Sequence, residues 1–170
     1  SLYFITFVFN EHFQTIIKML FRFFYTLLLL VACASASVLK YDPNYSYSRN
    51  LPLTSFACSD GSNGLITKFK GTVNNLSQLR SKLKPGVQVA AHKFVTSWNS
   101  PSCGACFRAR NPKTNLSFNF IAIDVARDGV ETVIASPEAF ASVSPSGTTN
   151  EGVLPVYITY FKDAPSNCWA

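Results

Sequence analysis

The sequence predicts a mainly β domain with short helices, a small barrel held by disulfides. Three observations carry that expectation. Short apolar or alternating runs follow one another, each bounded by Gly, Pro, Asn, Asp or Ser. Only two segments carry helix signals, and both are short. An even set of cysteines sits behind a secretion signal, the pattern of a stapled extracellular domain.

A first strand is expected at 38–41, ended by Asp42-Pro43, since proline has no N–H to give to a ladder. Residues 44–52 are rich in Tyr, Ser and Asn and read as a loop. Ser59-Asp60-Gly61-Ser62-Asn63-Gly64 is turn chemistry, with two glycines able to take positive φ. The run at 65–69 suits a strand. Val73, Leu76, Leu79 and Leu83 recur near the helical period, so an amphipathic helix is expected over 73–83, stopped by Pro85-Gly86. A strand at 87–95 leads into a loop at 98–103. Phe107-Arg108-Ala109-Arg110 alternates as a half-buried strand does. Phe118-Asn119-Phe120-Ile121-Ala122-Ile123 is the strongest strand signal and ends at Asp124. Ser136-Pro137-Glu138 opens a short helix reaching Val143: serine as N-cap, proline at the first helical position, an acid in the first turn. A last strand is expected at 156–161. Many short strands and two short helices assemble most simply as a β-rich barrel with helical decoration.

The domain is expected to occupy 37–170. From Met19, the only methionine, the chain carries one early charge at Arg22, a short apolar core and the small-x-small site Ala34-Ser35-Ala36. That is a secretory signal peptide over 19–36, cut before Ser37. Its apolar core is shorter than the ~20 residues that span a bilayer, which argues against an anchor. Residues 1–18 are read as translated upstream sequence or a gene-model artefact. Setting 1–36 aside removes Cys33 from the five cysteines and leaves four. It also removes Lys18, Arg22 and Glu11, so the net charge of +6 becomes +5.

A chain of this length forms one domain with a real core. Its basic residues are scattered except for Arg80-Ser81-Lys82-Leu83-Lys84. A basic secreted domain can adsorb to anionic walls or membranes, and a solvated helix end explains the cluster equally well. The aromatics do not interleave with a basic stripe, so no nucleic-acid partner is expected. Sequons at Asn44, Asn75 and Asn115 could carry glycans.

Cys103-Gly104-Ala105-Cys106 has redox spacing, but a redox cysteine wants a helix N-terminus, and this pair precedes a strand. A four-cysteine zinc site wants a second close pair, and Cys58 and Cys168 stand alone. Structural disulfides are the favoured reading, with three pairings open. No cofactor or metal is expected.

Taken in order, four segments resemble the cerato-platanin family of small secreted fungal proteins. They are Tyr41-Asp42-Pro43, Cys58-Ser59-Asp60-Gly61-Ser62-Asn63-Gly64-Leu65, Trp98-Asn99-Ser100-Pro101-Ser102-Cys103-Gly104-Ala105-Cys106 and Ala122-Ile123-Asp124-Val125-Ala126. The resemblance spans essentially all of 37–170. It implies a six-stranded double-psi β-barrel related to the expansin barrel, with disulfides Cys58–Cys103 and Cys106–Cys168. It implies a protein without catalytic residues that binds chitin or N-acetylglucosamine oligomers in a shallow groove. Fungal wall polysaccharide and a host receptor are the further partners it implies, and elicitation of host defence the role. An expansin-like wall-loosening protein or weak polysaccharide hydrolase is the alternative. The implied location is extracellular or wall-associated, with no membrane segment once the signal is removed. Carried over by position, the carbohydrate-binding residues are Asp60, Gly64, Leu65 and Asp124, with Glu131 where the family is expected to have asparagine. Glu131 lacks the amide donor but can accept from a sugar hydroxyl. Segment 80–90 is more basic than the family's Pro/Gly-rich connection, and 146–154 departs from its Gly-Gln-type groove segment.

The same residues have plainer readings. Asp124 is either a groove carboxylate or a structural aspartate bonded to nearby backbone N–H groups. Asp60 is a turn former first and a ligand contact second. Hydrolysis needs an acid and a base, and Asp60 with Asp124 is a pair that the fold could bring together. His92 has no visible metal or nucleophile partners and reads as packing or surface. Trp98 is expected as a buried cap over the disulfides, with stacking on a sugar as the other reading. Tyr45 and Tyr47 lie in a polar loop and are expected to be exposed.

Overall fold

The computed structural model describes residues 18–19, 37–128 and 131–170, so the expected leader and signal peptide fall almost wholly outside the described residues. The described residues from Ser37 onward form one compact unit. Its strands are β1 (Ser37–Tyr41), β2 (Gln88–His92), β3 (Cys106–Arg110), β4 (Ser117–Asp124), β5 (Thr132–Ala135) and β6 (Leu154–Tyr160). Its α-helices are α1 (Leu65–Lys68), α2 (Leu76–Arg80) and α3 (Pro137–Val143).

The six strands close into a barrel in the order β1-β5-β2-β4-β3-β6. Closure satisfies every strand edge, which an open sheet cannot do. Two pairings are parallel, β1 with β5 and β2 with β4, and the other four are antiparallel. These directions gather the starts of β1, β3 and β5 and the finishes of β2, β4 and β6 at one end of the barrel. Asp124, His92 and Glu131 all belong to that end.

β4 is the spine of the core. Phe120, Ile121, Ala122 and Ile123 are consecutive and all 0% exposed, so both faces of this strand are dry. One face points into the barrel and the other is covered by helix and loop, which is why the run is apolar throughout instead of alternating. Phe107 on β3 lies opposite both Phe120 and Tyr160, and stacks on them at centroid distances of 5.3 and 4.8 Å. The disulfides are Cys58–Cys103 and Cys106–Cys168, closing separations of 45 and 62 residues. Each contributes about 4 kcal/mol on the chain-entropy account. The closed six-stranded barrel with two disulfides implied by the resemblance is the fold of this chain.

Several local expectations are corrected. Residues 65–69 are not a strand: Lys68 N–H donates to Gly64 O and Phe69 N–H to Leu65 O, one helical turn that forms α1. The helix expected over 73–83 is only α2. Asn75 caps it by accepting from Gln78 N–H at 2.9 Å, and Leu83 leaves it to bridge with Trp169. β5 was not anticipated. The Tyr-rich loop is built from short 3-10 turns at Pro43–Tyr45, Tyr47–Arg49 and Leu53–Ser55. Tyr45 is buried and Tyr47 half-buried, against the expected exposure, because each hydroxyl has a partner: Asp124 Oδ2 for Tyr45 and the Val87 carbonyl for Tyr47.

Candidate functional site

The turn 58–64 and the loop after β2 are clamped together at the barrel end. Asn99 is the keystone, with φ of +57° that asparagine tolerates better than most side chains. Its Oδ1 accepts from Asn63 N–H at 2.7 Å and its carbonyl accepts from the Asn63 side-chain amide at 2.9 Å. The Cys58–Cys103 bond ties the same two segments covalently. Gly64 is required by close approach, since a Cβ there would lie 2.1 Å from the Asp60 carbonyl oxygen. The clamp sets Asp60 beside Trp98, whose Nε1–H donates to Asp60 Oδ1 at 2.7 Å. Ser59 Oγ donates to the same oxygen at 3.0 Å. The Trp98 bond, then the Ser59 bond, hold the Asp60 carboxyl below its usual range. Asp60 Oδ2 accepts no hydrogen bond among the described residues.

Trp98 is 57% exposed, so it is not the buried cap over the disulfides that was expected. Trp169 is the more covered of the two, half-buried: its Nε1–H donates to Gly104 O at 3.2 Å and its ring packs beside Phe69. The sequence signal for Asn99 was its place in the Trp98–Cys103 segment. No signal distinguished the two tryptophans.

Asp124 accepts three hydrogen bonds from the protein itself. Oδ1 accepts from Ala57 N–H at 3.1 Å and Val125 N–H at 2.9 Å, and Oδ2 accepts from Tyr45 Oη–H at 3.0 Å. It joins the end of β4 to the segment that carries Cys58. Burial, then the charge and hydrogen bond of Asp124, push the Tyr45 hydroxyl far above its usual pKa. Leu65 is fully buried in the core, so its side chain offers no surface to a ligand. Glu131 sits just before β5, where its Oε1 lies 3.2 Å from Lys93 Nζ and 4.0 Å from His92 Nε2. His92 is 0% exposed, against packing by Phe94, Phe107 and Phe120.

The five expected contact residues therefore occupy three places: Asp60 with Gly64 and Leu65 beneath it, Asp124 at the end of β4, and Glu131 beside Lys93. No hydrogen bond joins one place to another among the described residues. Among the described residues, no group of three or more His, Cys, Asp and Glu could hold a metal ion.

The cerato-platanin family pattern matches residues 37–169, the entire barrel domain. The chain belongs to the cerato-platanin family. It is 30% identical over 145 residues to the cerato-platanin of Ceratocystis fimbriata f. sp. platani, covering 85% of this chain and 95% of that one. It is 34% identical over 159 residues to an Arthroderma benhamiae protein described as an "Allergen Asp f 15 homolog", covering 89% of this chain and 70% of that one. Among solved structures it is similar to that of the "fungal elicitor Cerato-Platanin", with TM-score 0.60, 27% identity, and 76% of this chain and 94% of that chain covered. The cerato-platanin 3 of M. perniciosa is similar at TM-score 0.60 and 27% identity, covering 74% and 93%.

Proposed function

We propose that this protein is a secreted, non-catalytic carbohydrate-binding member of the family. It takes chitin or N-acetylglucosamine oligomers at the Asp60–Trp98 corner, associates with the fungal wall and acts as an elicitor perceived by a host. The observation that carries the reading is an exposed indole held in one orientation by the 2.7 Å bond from its N–H to Asp60. A fixed aromatic face stacks on a sugar ring without first losing rotamer freedom. The open Asp60 Oδ2 is placed to accept from an N-acetyl N–H or a hydroxyl.

Two features speak against hydrolysis. A general acid needs a raised pKa, and Asp60 is shifted the other way. The Asp124 carboxylate already accepts three hydrogen bonds from the protein. Secretion fits the two disulfides, which persist in oxidising compartments. The elicitor role is supported by the description of the structural relative as a fungal elicitor.

The test is Trp98→Ala measured by calorimetry with N-acetylglucosamine hexamers. The exposed ring carries little of the fold, so the thermal midpoint should stay within a few degrees while affinity falls about tenfold or more, the loss of a stacking contact. Equal affinity for wild type and variant would remove Trp98 from the site.

A further inference from the structure

A second groove, of ≈ 810 Å³, opens between α1, segment 81–84 and residues 165–170. Phe69, Cys103, Gly104, Ala105 and Trp169 supply apolar lining, and Lys68, Lys82 and Lys84 supply charge. None of these three lysines forms an ion pair among the described residues. Neither Asp60 nor Trp98 lines this groove, so it is a different site from the one above.

The backbone dictates where the lysines point. Lys84 N–H donates to Cys168 O at 2.8 Å and Ala170 N–H donates to Lys82 O at 3.1 Å, with Leu83 bridged to Trp169 between them. Leu83 is buried (6% exposed), while its neighbours Lys82 and Lys84 both line the groove. Lys68 Nζ is placed from the opposite wall, 4.2 Å from the centroid of the Trp169 ring. Gly104 makes room for that ring: at φ of +78°, a Cβ would lie 3.0 Å from the indole. Three ammonium groups thus surround an apolar floor. If Ala170 carries a terminal carboxylate, three less one still leaves +2 on the lining.

We propose that this groove binds a uronic-acid oligosaccharide. The sugar carboxylates meet Lys68, Lys82 and Lys84, while the apolar floor and the exposed Tyr160 ring receive the pyranose C–H faces. Arginine, the residue suited to bidentate phosphate, is absent from the lining. Successive nucleic-acid bases need several open aromatic faces, and with Lys68 over the Trp169 ring the lining offers only Tyr160. The charges line a concavity, where a bilayer surface reaches less well than a flexible glycan strand.

The experiment titrates the oxidised protein with galacturonic acid oligomers and, separately, with neutral N-acetylglucosamine oligomers of the same length, read by nitrogen-15 NMR. The uronates should shift the amides of Lys82, Lys84 and Gly104 and the Trp169 indole N–H, and added salt should weaken the effect. The neutral oligomers should leave those signals in place. Lys82→Gln and Lys84→Gln should each weaken uronate binding about 3- to 5-fold, the worth of a partly exposed ion pair, with no change in thermal midpoint. No shifts at millimolar uronate, or equal shifts with neutral sugar, overturns the proposal. So does binding of anionic phosphatidylserine vesicles or single-stranded RNA through these lysines while uronates do nothing. Failure at this groove leaves the Asp60–Trp98 corner untouched, and the reverse also holds.

Discussion

Asp124 and His92 show how surroundings decide what an ionisable residue does. Three donors converge on Asp124, one of them the hydroxyl of buried Tyr45. Asp124→Ala strands all three, and charge-assisted bonds are worth about 1.5–3 kcal/mol each before compensation by water. Chemical denaturation of this variant should show a loss of about 2–4 kcal/mol. A variant as stable as wild type would return Asp124 to the candidate ligand contacts. His92 is held neutral: burial pushes its pKa down to about 4, with Glu131 raising it and Lys93 lowering it by smaller amounts. Its Nδ1 accepts from Phe94 N–H at 3.4 Å, and its Nε2 has no hydrogen-bond partner among the described residues. The unfolded chain takes up this proton near pH ~6.5, well before the folded one. The stability from neutral His92 is therefore complete above that pH and is lost as pH falls through about 4. The total is about 3 kcal/mol. Urea midpoints measured from pH 7 to 4 should fall across this window, and a flat profile would contradict the burial of the ring. Asp60 and Asp128 have lowered pKa values, so their contributions disappear only at more acid pH.

Elements were legible in the sequence where their signals are local. α3 begins at Ser136, whose Oγ accepts from Ala139 N–H at 3.1 Å, as its serine, proline and glutamate foretell. β4 is long and apolar enough to be unmistakable. β5 is only Thr132–Ala135, too short for a period to register, and it exists because β1 and β2 flank it on both sides. α1 misleads because Ile66 and Thr67 favour strands locally. Tertiary bonds override that preference: Leu65 N–H donates to Cys58 O at 2.9 Å and Ile66 N–H to Ser59 O at 2.8 Å. Gly64 is the hinge of this arrangement. Gly64→Ala should cost about 2–3 kcal/mol from overpacking and move the Trp98 indole resonance, since the Asp60 turn must open. Unchanged melting and an unmoved indole signal would show that the turn yields without strain.

At the scale of the molecule, the four motif segments foretold the barrel and both disulfide pairings through their family resemblance, because cysteine spacing alone left three pairings open. The site was less legible. Asp60 is legible as turn chemistry, but nothing local marks its partner Trp98 as exposed or Trp169 as the more covered indole. Which indole is the more covered depends on where residues 165–170 return across the barrel, and no local pattern encodes that. The basic run 80–84 was visible too, yet only the bridge between Leu83 and Trp169 turns Lys82 and Lys84 to a common side. The two proposals together would place two ligand chemistries on one scaffold: neutral sugar at an aromatic corner and acidic sugar at a cationic groove.

The central claim is that the corner made by Asp60 and Trp98 receives a neutral oligosaccharide. The most direct measurement is a nitrogen-15 NMR titration of the oxidised protein with N-acetylglucosamine oligomers. The account predicts shifts confined to the Trp98 indole and the amides of Asp60, Asn63 and Asn99, with α3 and the lysine groove unmoved. No shift at millimolar oligomer, or shifts centred elsewhere on the barrel, would contradict it.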